Sequence, residues 1–363
     1  MYAVNSHSQS IFTDGFAVSI RLLICLFAGL LILLTGVSST LAQQRNFKTS
    51  DRMVMTYLFC WYDIATYEQI VTRQSTDYLS VHPSPQTTWY DAAQPDFSKR
   101  KPPEMRGGPD FSYKNPYWFA QQLQWMKDAG IDAVAVDYMP VDPFLARSNL
   151  GAENLNLALS AVPSPPAVCL FLESAPFLRN TNLHTSAGVD RFFRGIQSFY
   201  SRIDRRHWLL INNQVPVILY KSDVEGLVIS DAGLDRVRRN FKAWSGRELC
   251  FFGNESWQSK APNSVRYDCA WGAANRRDRI ISGKDLMSVS PGMSYKGRSG
   301  NAPRSSDGYR SAWEAARRTG KNWVAIETWS EFIEGSAIAP TVEEGSALLE
   351  ITLNQAKRFK ARR

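Results

Sequence analysis

Histidine is scarce here, with four in 363 residues, which leaves little material for a His-rich metal site. Five cysteines occur, and none forms a CxxC pair, so a zinc site is not expected. The chain lacks GxSxG, GxxxxGK[ST], HExxH and an EF-hand loop, which removes the common nucleophile elbows, phosphate loops and metalloprotease helices. No glycine-rich phosphate loop follows the first strand-like run, which weighs against a doubly wound nucleotide-binding sheet. No cofactor and no metal are therefore expected. Long apolar runs are also nearly missing. Only Leu22 to Leu34 is uninterrupted, shorter than the roughly 20 residues a spanning helix needs.

That one run reads as targeting. Arg21 precedes it, and Ser38, Ser39, Thr40, Leu41 and Ala42 follow. A basic start, a short apolar stretch and small residues make up a secretory signal. Residues 1–42 are expected to be removed, leaving one domain over 43–363 in a secreted or periplasmic protein. An uncleaved N-terminal membrane anchor is the alternative, and Cys25 behind bulky Ile24 is a poor lipidation site. Export permits disulfides. Yet Cys60, Cys169, Cys250 and Cys269 all lie in apolar strand-like runs, where buried free thiols are equally expected. Only Cys250 with Cys269 is a candidate pair.

Net charge is +8, which by itself suggests an anionic partner. Five of the basic residues fall within the last seven, Lys357 to Arg363, so the rest of the chain is only weakly basic. This tail reads as a frayed, solvated terminus and lacks the interleaved aromatics of a nucleic-acid platform. No nucleic-acid partner is expected. Docking on an acidic polymer is the sharper alternative for the tail.

What the chain has is apolar and aromatic material: 44% hydrophobic residues and 12% aromatic. Eight strand-like runs recur: Val54–Trp61, Ala133–Tyr138, Ala167–Glu173, Val217–Tyr220, Leu249–Gly253, Tyr267–Trp271, Met287–Ser290 and Trp323–Glu327. Runs apolar on both faces predict parallel strands covered by helices. Helical spacing appears at Phe119, Leu123 and Met126 before a stop at Gly130, then at Phe192, Ile196 and Phe199. It recurs at Leu234, Val237 and Phe241, and a last helix is expected from Ala347 to Phe359. The alternation predicts an α/β fold, a single-domain (β/α)8 TIM barrel, with short fifth and sixth crossovers. An insertion from about Thr66 to Asn115 follows the first strand, and a second irregular stretch spans Pro291 to Ser306. In a barrel both lie on the face that builds active sites.

The predicted strand ends are polar or aromatic: Trp61-Tyr62-Asp63, Asp137-Tyr138, Glu173, Trp271 and Trp329 with Glu331 and Glu334 beyond it. Carboxylates among Trp and Tyr suit a sugar, whose C–H faces stack on rings and whose hydroxyls meet carboxylates. Glycoside cleavage needs one acid and a second carboxylate. Glu331 and Glu334, three apart, face the same way if their segment turns helically, and their proximity raises one pKa. A solvated helix face produces the same ExxE. Asp137 and Glu173 read equally as functional groups or buried ion-pair members. Trp61, Tyr62, Tyr138, Trp271 and Trp329 are stacking candidates that core packing also explains. His82 and His184 fall in loops without an assigned role.

The segment WVAIETWSEFIEGSAIAPTVEEG (Trp323 to Gly345) resembles the terminal signature of endo-α-mannosidase-like and WbsX-like glycoside hydrolases, the glycoside hydrolase family 99-like group. Gly108 to Tyr138 is similar to that family's second block, Tyr57 to Asp63 to its opening strand, and Phe171 to Ser174 to its third-strand Glu. The resemblance implies an exported (β/α)8 enzyme acting on glycans, many of them α-mannosides. It implies Glu334 as general acid/base, Glu331 as the group assisting attack by the sugar's own 2-hydroxyl, and Glu173 as a holder of substrate hydroxyls. Ser330, Phe332, Ile333 and Ala339 depart from the signature, and by resemblance they alter the sugar-contacting shell. The expected function is an exported glycoside hydrolase, monomeric, acting on an oligosaccharide or polysaccharide. A non-catalytic glycan-binding barrel is the alternative.

Overall fold

The computed structural model describes residues 44–61, 112–294 and 302–361. Contacts divide the chain after Gln43, and every described residue belongs to the unit 44–363. The expected signal segment, most of the insertion after the first strand, Tyr62, Asp63 and His82 lie outside the described residues.

Eleven strands are described: β1 (Asn46–Phe47), β2 (Met53–Phe59), β3 (Ala133–Tyr138), β4 (Ala167–Leu172), β5 (Leu210–Ile211), β6 (Val215–Leu219), β7 (Leu249–Gly253), β8 (Val265–Asp268), β9 (Ile280–Ser282), β10 (Leu286–Val289) and β11 (Trp323–Ile326). β1 and β5 pair separately, and the other nine form one sheet in the order β8-β7-β6-β4-β3-β2-β11-β10-β9. All its neighbours are parallel except the β9–β10 pair. The eight parallel strands are the eight apolar runs, and the sixth is shifted toward the N-terminus, to Val265–Asp268 rather than Tyr267–Trp271. No ladder joins β8 to the β9–β10 hairpin among the described residues. Side chains tie them instead: Asp268 N donates to Asp285 Oδ2 (3.1 Å), and Lys284 N donates to Asp268 Oδ2 (2.7 Å).

The sheet is apolar on both faces because it separates two cores. One cluster holds Met55, Tyr57, Ala135, Cys169, Phe171, Phe252 and Trp323. The other packs Val54, Leu58, Val134, Val136, Leu170 and Leu172 against the helices. Small residues such as Ala133, Ala135 and Ala325 leave the first cluster room for its rings. All four described cysteines are free and buried, so Cys250 and Cys269 form no disulfide. Burial pushes both thiols up to about 12.

Eight helices are described: α1 (Pro116–Asp128), α2 (Leu145–Ala161), α3 (Ser174–Phe177), α4 (Ser186–Tyr200), α5 (Asp231–Ser245), α6 (Glu255–Lys260), α7 (Ser306–Arg318) and α8 (Ala347–Lys360). Asn115 caps α1, with Pro116 at its first position. Gly130 follows at φ 76, a left-handed turn that glycine enters without steric cost. The anticipated stripes on α1, α4 and α5 are fully buried. The fifth crossover has only the six-residue α6, and the sixth only a 3-10 turn, Ala273–Asn275. Among the described residues no helix is long and apolar enough to cross a membrane.

The basic tail departs from expectation. α8 runs through Lys360, and Phe359 is buried. Lys360 Nζ lies 2.6 Å from Asp132 Oδ1 and donates to the Gly130 carbonyl. The Arg52 guanidinium sits 5.1 Å from the Phe359 ring centroid. The first four tail residues are thus docked helix, held by an apolar anchor and an ion pair.

Candidate active site

A cavity of about 360 Å³ opens where the parallel strands end. β4 delivers Glu173, β6 delivers Tyr220 and Lys221, the segment after β8 delivers Trp271, and β11 delivers Glu327 and Thr328. Glu331 and Glu334 complete the wall. Four carboxylates therefore line one space, and Lys221 is the only cationic side chain among the described lining residues. Its ammonium lies 5.0 Å from the Tyr220 ring centroid.

The segment carrying the glutamate pair is a closed turn rather than a helix. Thr328 N donates to the Ser336 carbonyl (3.1 Å), and Ser336 N donates to the Glu331 carbonyl (3.1 Å). Glu331 N donates to Thr328 Oγ1 (3.0 Å). Ser294 N donates to the Glu334 carbonyl (3.0 Å) from the loop after β10. Backbone bonds thus place both side chains on one cavity without a helix.

Burial pushes the Glu331 carboxyl up to about 8, and the Glu334 charge adds to the rise, against backbone N–H groups of Glu334 and Ile333. Burial raises Glu173 to about 7, opposed by the Ala175 N–H and the Lys221 ammonium. Asp137 stands behind the cleft on β3, opposite Phe59 and Phe171 on the neighbouring strands. Burial, then Glu173 and Glu331, hold its carboxyl well above the ordinary range. Trp61 Nε1 donates to its Oδ2 at 3.0 Å, and its Oδ1 has no partner among the described residues.

The other candidates separate. Trp271 lines the cavity, stacked on Phe171 at 5.0 Å and edge-on to Tyr57 and Tyr220. Trp61 is buried and reaches the site through Asp137. Tyr138 does not reach the cleft. Adjacent strand residues point to opposite faces, so Asp137 inward sends Tyr138 to the helix layer, bonded to Asn149 and to Ser198 at 2.7 Å. Trp329 is also core, its Nε1 donating to Gln122 Oε1 at 2.9 Å. His184 is exposed in its loop.

Glu327, Tyr220 and Lys221 also stand at polar strand ends in the sequence, which by itself assigns them no site role. Glu327 carries the signal that singled out Glu173, an acid closing an apolar strand. Burial raises it to about 7, against donors from Ser288 and the Gly272–Ala274 backbone. The altered signature positions also fall elsewhere than expected. Ser330, Phe332, Ile333 and Ala339 are buried and none lines the cavity.

The parallel α/β sheet has counterparts among solved structures. A solved GH99 endo-alpha-mannosidase from Bacteroides thetaiotaomicron, in complex with BIS-TRIS-propane, superposes with a TM-score of 0.54 at 14% identity, covering 85% of this chain and 98% of that one. A second structure of a GH99 endo-alpha-mannosidase from that organism gives 0.52 at 15% identity, covering 85% and 98%. A structure described as a glycoside hydrolase-like protein gives 0.57 at 12% identity, covering 84% and 94%. At these identities the likeness establishes a shared fold. No protein-family model matches the sequence, and no curated protein matches it.

Proposed function

We propose that the chain is an exported glycoside hydrolase whose Glu331–Glu334 pair cleaves a glycosidic bond in an oligosaccharide or polysaccharide, α-mannosides among them. The observation that carries this reading is the presence of both glutamates on one cavity, beside Trp271, Tyr220 and Glu173. The fold shared with endo-alpha-mannosidases over most of the chain supports it. The parallel strands close as a (β/α)8 barrel in this reading. Residues 1–42 are a signal removed on export, and 43–363 form one monomeric domain.

In the mechanism proposed, Glu334 protonates the leaving oxygen while Glu331 takes the proton of the sugar's 2-hydroxyl. That oxygen attacks the anomeric carbon and the glycosidic bond breaks. Water then attacks the same carbon, losing a proton to Glu334, as Glu331 returns its proton to the 2-oxygen. The step starts with Glu331 ionised; burial raises that carboxyl to about 8, so the form able to take the 2-hydroxyl proton grows as pH rises toward that value. Glu173, with the Lys221 ammonium beside it, holds substrate hydroxyls.

A glycan-binding barrel without turnover is the second reading, favoured by the changed residues Ser330, Phe332, Ile333 and Ala339. Their burial away from the cavity weighs against it. A panel of glycans assayed for release of reducing ends separates the two. Turnover of at least one glycan, lost in Glu331→Gln, supports hydrolysis, and saturable binding with no turnover supports the second reading.

A further inference from the structure

Glu327 lines the cavity, yet its oxygens are already engaged. Oε1 accepts from Ser288 Oγ and from Gly272 N at 2.9 Å. Oε2 accepts from Gly272 N at 3.0 Å and from Ala274 N at 3.3 Å. The backbone donors come from one short stretch bounded by Trp271 and Asn275, both of which line the cavity. Gly272 sits at φ 111, the left-handed region that turns successive N–H groups toward one anion. No lysine or arginine among the described residues pairs with this carboxylate. A buried charge left unmet is costly, and here the cleft wall itself meets it. Ser288 fixes the other side to β10.

We propose that Glu327 is a positioning residue whose carboxylate pins the Trp271–Asn275 wall, so that the Trp271 ring and the Asn275 amide stand where a sugar binds. Glu327 acts through that wall and takes no part in proton transfer. Removing it leaves Gly272 and Ala274 N–H groups unmatched, and the stretch carrying Trp271 moves. The kinetic part of this proposal rests on the glycosidase reading, and the positional part does not.

Glu327→Gln, Glu327→Ala and Ser288→Ala are compared with wild type in two assays. The first is hydrolysis of an α-mannan oligosaccharide, where KM is expected to rise about tenfold or more in Glu327→Gln, the size of a lost charged hydrogen bond, with kcat within about threefold. Glu327→Ala exceeds it and Ser288→Ala falls below it. The second is the tryptophan emission assigned to Trp271 by subtraction of Trp271→Phe, which is expected to shift to the red in the Glu327 variants. Unchanged KM with unchanged Trp271 emission overturns the proposal, as does a fall in kcat with KM held. If the Glu327 variants do not fold, Ser288→Ala reads the same quantities: a raised KM with red-shifted emission supports the pin, and no change in either overturns it. If wild type hydrolyses no glycan, the glycosidase reading fails, and the Trp271 emission alone decides the pin.

Discussion

Arg304 Nη1 donates to the Gly335 carbonyl at 2.8 Å, one residue beyond Glu334. The same nitrogen donates to the Ala337 carbonyl at 2.6 Å, and the other edge of the guanidinium meets Glu344 Oε2 at 2.6 and 2.8 Å. The Arg304 side chain is only 5% exposed. The turn holding the glutamate pair is therefore clamped from outside the cavity by a charged fork, while Thr328 and Ser336 close it from within.

Arg304→Ala should loosen that turn. Expected losses are about 2–4 kcal/mol of stability, from a charged hydrogen-bond set whose acceptors are left unmatched. kcat should fall about 10- to 100-fold, because small misplacements of reacting groups are costly. Arg304→Lys restores the charge but not the planar fork, so rescue should be partial. Denaturant unfolding and kcat on a glycan substrate check both effects. A stability loss with kcat unchanged would separate the clamp from the placement of Glu334.

Tyr138→Phe should leave glycan affinity unchanged and lower stability by about 1 kcal/mol, the size of a lost buried hydrogen bond. Its hydroxyl serves Asn149 and Ser198 in the helix layer. A marked loss of affinity in a titration with oligosaccharide would return Tyr138 to the site.

Much of this architecture is legible in the sequence, for a physical reason. Strands buried on both faces write continuous apolar runs, and so β2, β3 and β4 stand out at once. β8 is displaced from its apolar run because its ladder ends at Asp268, whose side chain turns to Lys284, while Cys269 to Trp271 continue apolar past the pairing. α2 carries no clear stripe, because Gly151 and Asn154 sit on its buried side. A Cβ at Gly151 would lie 1.8 Å from the Cys60 carbonyl oxygen, and Asn154 donates to the Tyr113 carbonyl. The glutamate pair and Glu173 are readable as acids at strand ends. That Asp137 and Tyr138 cannot both face the cleft follows from strand alternation. Glu327 looks like one more strand-ending acid, because its partners are backbone donors that leave no mark in a sequence.

Stability should fall as pH rises from about 4.5 toward 8. Burial raises Glu173 and Glu327 to about 7 and Glu331 to about 8, each from an ordinary value of 4.5. Across that window these three groups hold more protons in the folded chain than in the unfolded one, and buried His207, lowered to about 4, opposes them below about 6.5. The contribution of these groups is therefore complete below 4.5 and lost as pH passes their folded values. Denaturation midpoints measured across the range check it, and Glu331→Gln should flatten the upper part and be more stable than wild type at pH 8. A contribution from Glu331 that grows with pH would contradict the assignment.

Trp271→Ala should weaken oligosaccharide binding about 10-fold, through loss of a stacking ring beside the carboxylates. Calorimetry or fluorescence titration measures it. Unchanged affinity would mean that the ring packed on Phe171 offers no face to the sugar.

The central claim is that Glu331 and Glu334 cleave a glycosidic bond. Its most direct test is the release of reducing ends from an α-mannan oligosaccharide by wild type and Glu334→Gln, with binding of the same oligosaccharide measured in parallel. The expected result is loss of hydrolysis by about 10²- to 10⁴-fold, the usual contribution of a positioned acid, with binding retained. Equal hydrolysis by the two proteins would contradict the account.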